Sequence, residues 1–246
     1  MANFSVIVAA AGKSARFQDK HYKKPFVPLA NKPVWLYSVE RFVNRDDVKQ
    51  VIVVISKEDR DMFRTKFGAN LAFLNLDLVE GGEERSDSIQ KGLEAVKPDI
   101  DYVAIHDAAR PCFVDRWVDT VFSAAQKTGA AILATPVTGT LKRSQDGSAI
   151  DETVDRSNLW QAQTPQVFRR DLIVESYAKL GNAKPTDDAQ VVELAGHKVS
   201  IVEGSPMNLK ITTRDDLKMA EKVLQALPKP KLTGPGNPFA NDDMWR

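Results

Sequence analysis

The residues best suited to chemistry stand early in the chain. AAAGKSARF, residues 9–17, follows the apolar run FSVIV and carries Gly-Lys-Ser, the triplet that closes a phosphate-cradling P-loop. A P-loop needs another glycine five residues before that one, to open the nest of amides around the phosphates. Ile7 occupies that position, inside a strand-like run. The Rossmann Gly-x-Gly-x-x-Gly fails too, because Ser14 and Phe17 stand where its second and third glycines belong. What remains is a strand, Ala-Ala-Gly, and a loop holding Lys13, Arg16, Lys20, Lys23 and Lys24 against Asp19. That density of cations suits a polyphosphate. Gly12 lets the backbone come close, Arg16 can fork onto two oxygens and Lys24 can act as a point charge. A solvated basic loop is the plainer reading; small residues at a strand's carboxyl end, where α/β sheets bind ligands, favour the functional one.

Two further stretches carry chemistry. EGGEERSDSI (80–89) pairs Gly81 with Gly82 ahead of a helix start at Ser86 or Ser88. By itself the glycine pair reads as a turn; beside the same crevice it leaves room for a flat base to meet backbone groups, with Ser88 as a side-chain reader. HDAARP (106–111) ends a buried run on Asp107, with Arg110 three residues on. Asp107 is a natural Mg²⁺ ligand, since Mg²⁺ takes one or two carboxylates and completes its shell with phosphate oxygens and water; a turn-capping Asp is the alternative. His21, His106 and His197 lack metal-ligand spacing and read as structural or exposed, and Cys112, with no paired base, as a packed thiol. Trp35, Trp117 and Trp160 read as core or interface anchors.

These residues need a scaffold. FSVIVAA (4–10), QVIVVI (50–55), DYVAIHD (101–107) and AAILATPV (130–137) have the composition of strands buried on both faces. VWLYSVERFV, SDSIQKGLEAV and DRWVDTVFSAAQK between them space apolar residues by three and four. The pattern predicts an α/β fold with a doubly wound, mostly parallel sheet. From about 138 to 163 the chain turns polar, with Asp146-Gly147 as a hairpin signal, and reads as a projecting β-arm. KVSIVEG, NLKITT and a helix from about Arg214 to Leu227, opened by Thr213 and Asp216 at capping-box spacing, return to α/β. One domain over 1–227 and a flexible tail over 228–246, rich in Pro and Gly, complete the reading.

Composition narrows the partners. In 246 residues the net charge is +1, so no global field recruits nucleic acid or an anionic membrane, and attraction for anions must be local. The chain has one cysteine, no secretory layout at MANFSV and no apolar run near the ~20 residues that span a bilayer, which together predict a cytoplasmic protein.

In order and spacing, AAAGKSARF, KKPFVPLANKPV, GGEERSDSI, HDAARP, TPVTGTLKR, TVDRSNLWQAQTPQVF, TDDA and NLKITT resemble the 2-C-methyl-D-erythritol 4-phosphate cytidylyltransferase family, from about Phe4 to Leu227. The resemblance implies a nucleotidyltransferase that joins CTP to a polyol phosphate in the non-mevalonate route to isoprenoids. It implies a triphosphate loop at Ala10, Ala11, Gly12 and Arg16, a catalytic lysine at Lys24 and a second at Lys210. Cytosine recognition falls on Gly82 and Ser88, and Mg²⁺ on Asp107. Arg110 falls beside the substrate pocket, and sugar-phosphate contacts fall on Thr140, Arg156, Thr164 and Thr186. The arm would embrace a second subunit and lend Thr140 and Arg156 to its site, making a homodimer. Ser14 departs from the family's usual second glycine and is expected to leave that turn less free to take positive φ; Lys23 beside Lys24, and Pro25 after it, leave the choice of lysine open. The runner-up is a ribitol-5-phosphate cytidylyltransferase, which shares the CTP half. A P-loop kinase and a non-catalytic nucleotide sensor stand further off.

Overall fold

The computed structural model describes residues 2–12, 14, 17 and 23–228. Its elements are β1 (Phe4–Ala9), β2 (Pro28–Leu29), β3 (Lys32–Pro33), α1 (Val34–Val43), β4 (Val48–Ile55), α2 (Arg60–Phe73) and β5 (Asp77–Glu80). There follow α3 (Arg85–Glu94), β6 (Tyr102–Asp107), α4 (Asp115–Thr128), β7 (Ala130–Pro136), β8 (Leu141–Arg143), β9 (Glu152–Val154) and β10 (Trp160–Arg169). The last are α5 (Arg170–Ala178), α6 (Asp188–Leu194), β11 (Ser200–Glu203) and α7 (Arg214–Ala226).

Seven strands form one sheet in the order β11-β7-β10-β6-β1-β4-β5. Neighbours are parallel except at β10, which runs antiparallel to both β6 and β7. β1 shows why its sequence is apolar throughout. Val6 and Val8 join the core beneath α1, α2 and α4 with Trp35, Phe42 and Phe122, while Ile7 points to the other face with Ile89, Leu93 and Ile173 of α3 and α5. The period of two along a strand puts successive side chains on opposite faces, so a strand covered on both sides has no polar position to spare. α4 sets Val118, Val121, Phe122 and Ala125 on its buried stripe and stops at Gly129, whose φ of 85° closes the helix in the left-handed region.

The strands expected at 4–10, 50–55, 101–107 and 130–137 and the helices between them are present, and α7 opens on the Thr213–Asp216 capping box. Several features differ from the sequence reading. NLKITT is not a strand: it runs across the sheet's carboxyl edge, held where Ile211 N–H donates to the Ala109 carbonyl. The polar segment forms a separate two-stranded sheet, β8 with β9, in which Asp146-Gly147 lies within a longer connection, residues 144–151. The strand from Trp160 already pairs with β7 in the main sheet. Trp35 is fully buried, Trp117 half-buried, and Trp160 exposed.

Candidate active site

The crossovers decide where a ligand fits. The connections after β1 and β4 pass on one face, through α1 and α2, and the connection from β5 to β6 passes on the other, through α3. The sheet therefore has a switch point between β1 and β6, where the loops diverge and leave a crevice beyond the strands' carboxyl ends. A cavity of about 290 Å³ lies there, lined by Ala11, Gly12, Lys24, Ser88, Asp107 and Lys210 among others. A second, of about 1170 Å³, adjoins it beneath the arm, lined by Arg110, Thr140, Gln163 and, again, Lys210.

Asp107 is the electrostatic centre. Its Oδ2 accepts from Lys210 Nζ at 2.8 Å and from Arg110 Nε at 3.4 Å, and its Oδ1 faces Arg85 Nε at 3.9 Å, beyond hydrogen-bond reach. Burial alone would raise this carboxyl; Lys210, Arg85 and Arg110 together outweigh burial and hold it well below the usual carboxylate range. Its backbone is fixed by a buried relay. Asp107 N–H donates to Thr164 Oγ1 at 3.1 Å, that hydroxyl lies 3.1 Å from His106 Nδ1, and His106 Nε2 lies 3.1 Å from the Arg110 carbonyl. A carbonyl accepts only, so His106 carries its proton on Nε2 and takes one from Thr164 on Nδ1. Burial pushes the imidazole down to about 4, so it is neutral at pH 7.

The two candidate lysines separate. Lys23 Nζ donates to Asp59 Oδ2 at 2.7 Å and Ser56 Oγ at 2.9 Å, away from the cavity lining; Lys24 lines the cavity. Ser14 does adopt positive φ, 54°, contrary to the expectation for a residue other than glycine. Its hydroxyl compensates, donating to the Gly12 carbonyl at 3.3 Å and accepting from Lys24 N–H at 3.0 Å. The glycine pair has a packing reason as well as a spatial one. A Cβ on Gly81 would stand 2.5 Å from Ser88 Oγ, and one on Gly82 2.4 Å from Asp87 Cβ. Gly82 N–H donates to Ser88 Oγ at 3.1 Å, which ties the turn to α3.

The remaining predicted residues are distributed as follows. Ala10 is buried beneath the loop, with its N–H on the Val54 carbonyl. Arg16 lies outside the described residues, as do Lys13, Lys20, His21 and residues 229–246 of the expected tail. Thr140 lines the second cavity; Arg156, on the exposed arm, donates to the Thr138 carbonyl. Thr164 is 4% exposed, its hydroxyl engaged in the relay under Asp107. Thr186 borders a third depression, beside α6, with its hydroxyl donating to Gln190 Oε1 at 3.1 Å.

Sequence reasoning missed Arg85. Its guanidinium lines the first cavity, donates to Asp188 Oδ2 at 2.6 Å and is anchored there because Tyr177 OH donates to Asp188 Oδ1 at 2.7 Å. Burial would lower Arg85, but Asp188 and Asp107 more than reverse this and keep it charged. Arg85 and Asp188 stand 103 positions apart, in two stretches already singled out, and no spacing rule joins them. Among the described residues no three of His, Cys, Asp and Glu gather as a metal cage. Asp107, the buried carboxylate of a crevice also lined by Glu83 and Glu84, suits a hard divalent ion that brings phosphate oxygens and water as its other ligands.

Cations ranged along a crevice at the switch point, with two adjoining cavities and none of the glycine spacing of a P-loop, suit an enzyme that handles a nucleotide together with a second anionic substrate. Its relatives narrow the class. The family model described as 2-C-methyl-D-erythritol 4-phosphate cytidylyltransferase matches residues 4–226, and the chain belongs to that family. A 2-C-methyl-D-erythritol 4-phosphate cytidylyltransferase of Rhodopirellula baltica is 45% identical over 235 residues, 91% of this chain and 95% of that one. Crystal structures of the 4-diphosphocytidyl-2C-methyl-D-erythritol synthase of Anaerococcus prevotii and of the cytidylyltransferase of Thermus thermophilus superpose with TM-scores of 0.77 and 0.75. Each is 30% identical to this chain; they cover 91% and 92% of it, and 96% and 100% of their own lengths are matched.

Proposed function

We propose that the chain transfers the cytidylyl group of CTP to 2-C-methyl-D-erythritol 4-phosphate, releasing pyrophosphate, in the non-mevalonate isoprenoid pathway. The observation that carries this reading is the meeting of two cavities at Lys210, which is paired with Asp107 of the first. The first takes the nucleotide, with Ala11 and Gly12 along the triphosphate and Gly82 and Ser88 at the base; the second takes the polyol phosphate beside Arg110. An acceptor phosphate oxygen attacks the α-phosphorus, the bond to the bridging oxygen of the β-phosphate breaks, and pyrophosphate leaves. A phosphate monoester is largely dianionic near neutral pH, its second pKa being about 6, so no general base is required. The task of Lys24, Lys210 and Arg16 is to offset repulsion between two anions and the charge that grows between them.

Asp107 would hold Mg²⁺, which supplies further positive charge on the phosphates when bound. Arg85 and Arg110 keep that carboxylate ionised and aimed. The exposed arm supports a homodimer in which Thr140 and Arg156 complete the partner's acceptor pocket, with Thr164 and Thr186 serving the acceptor from beneath and beside it. Net charge of +1 leaves no field for nucleic acid. Among the described residues no helix is long and apolar enough to cross a membrane. A single buried Cys112, its thiol pushed up to about 12 by burial, suits the cytoplasm. Product analysis with CTP, Mg²⁺ and either 2-C-methyl-D-erythritol 4-phosphate or ribitol 5-phosphate tests the reading. A cytidine diphosphate product from the first acceptor supports it; turnover of the ribitol phosphate alone overturns it.

A further inference from the structure

Lys23, Ser14 and Asp59 lie outside the roles given above, yet all three converge on one residue. Lys24 is held from both sides. Its N–H donates to Ser14 Oγ at 3.0 Å, while the side chain of its predecessor, Lys23, is clamped 2.7 Å from Asp59 Oδ2 and 2.9 Å from Ser56 Oγ. Ser56 Oγ donates to the same Asp59 oxygen at 2.6 Å, and Asp59 is buried, so the clamp is closed and rigid. Lys23 is extended (φ -74°, ψ 150°) and caps a short 3-10 turn, Lys24–Phe26, so the backbone changes direction between the two lysines and their side chains diverge. Tying one to the wall behind β4 therefore sends the other towards the crevice, where Lys24 lines the cavity.

Ser14 is the unexpected member. A serine at φ 54° carries a backbone strain that glycine would not. In return its hydroxyl joins two points that glycine could not, the Gly12 carbonyl at 3.3 Å and the Lys24 N–H, ten positions on. We propose that Ser14 and the Lys23–Asp59–Ser56 clamp are positioning elements for Lys24, and that in this chain the serine hydroxyl, together with the paired lysine, does the work of fixing the triphosphate loop to the catalytic lysine.

The proposal rests on the role given to Lys24, and the test separates the two. Ser14→Gly, Lys23→Met, Lys23→Arg and Lys24→Ala are compared with the parent for kcat, for CTP affinity by calorimetry and for melting temperature. Ser14→Gly relieves the backbone and is expected to melt no lower than the parent, yet to lose about 10- to 100-fold in kcat, the scale of a misplacement near 1 Å. CTP affinity changes by less than about threefold, because the catalytic cations are all retained. Lys23→Met shows the same loss and Lys23→Arg, which keeps donors for Asp59 and Ser56, recovers most of it. If Lys24→Ala is inactive while Ser14→Gly and Lys23→Met turn over within twofold of the parent, the positioning role is refuted and the site stands. If Lys24→Ala itself is active, the assignment of the site falls first. A kcat loss that tracks a lowered melting point, with no rescue by arginine, refutes the clamp as well.

Discussion

Replacing Lys210 by glutamine removes one charge from the point where the cavities meet and keeps most of the stem. Its ammonium stands 2.8 Å from Asp107 and lines both cavities, so it is placed to face the triphosphate and the incoming phosphate together. A unit charge about 4 Å away contributes about 4 kcal/mol at an effective dielectric near 20. Only part of a charge develops in the transition state, which brings the expected loss to about 3 kcal/mol, or roughly 100-fold in kcat. Folding stability should hardly move. Lys210 is over a third exposed, and Asp107 keeps Arg110 and Arg85, so the change stays below about 1 kcal/mol. Stopped-time pyrophosphate release, beside urea unfolding of the same preparation, measures both quantities. A kcat within tenfold of the parent, or an equal loss in folding free energy, would refute the claim that Lys210 acts on the transferring group.

Other perturbations follow from the same geometry. Asp188→Asn leaves Arg85 with a weaker partner in a buried site and should lower stability by about 2 kcal/mol, read as a shift in the denaturation midpoint; an unchanged midpoint contradicts the anchoring role. His106 has a folded-state pKa of about 4 against 6.5 unfolded, so the unfolded chain binds the proton first and stability falls as pH drops from about 6.5 to 4, by about 3 kcal/mol in all. Asp107, depressed by its cations, adds to the loss at lower pH, and His106→Asn should flatten the upper part of the slope in unfolding titrations. If the arm completes the partner's site, inactive Lys24→Ala and Arg156→Ala chains mixed and reassembled should recover about a quarter of parental activity, since half the dimers have one intact site; no recovery argues for sites made within one chain.

Much of this was legible in the residues. β1, β4, β6 and β7 announced themselves because a strand covered on both faces admits few polar residues, and α7 because its capping box is local. Asp107 and Gly82 could be placed at the crevice because the carboxyl ends of strands collect function. α2 was not read: RDMFRTKFGANLAF buries Phe63 fully and leaves a largely polar, weakly periodic surface, with Gly68 in its midst. Nor did any local pattern say that β10 inserts antiparallel between β6 and β7, since strand order is decided by long-range packing. The division of labour between Lys23 and Lys24 rests on Asp59, which no spacing connects to them, and the Arg85–Asp188 pair spans most of the domain.

The inserted strand also orders events during synthesis. β6 and β7 leave the ribosome one after the other, yet they are not neighbours: each reaches the other only through residues 160–169. The strands β5-β4-β1-β6 all lie within residues 4–107, whereas β7 has nothing to join the sheet through until β10 emerges after it, and β11 then adds to β7. A nascent chain thus pairs four strands before Lys210 arrives to complete the first cavity, and until β10 is made the facing edges of β6 and β7 stay unpaired, which is where a chaperone has most to protect.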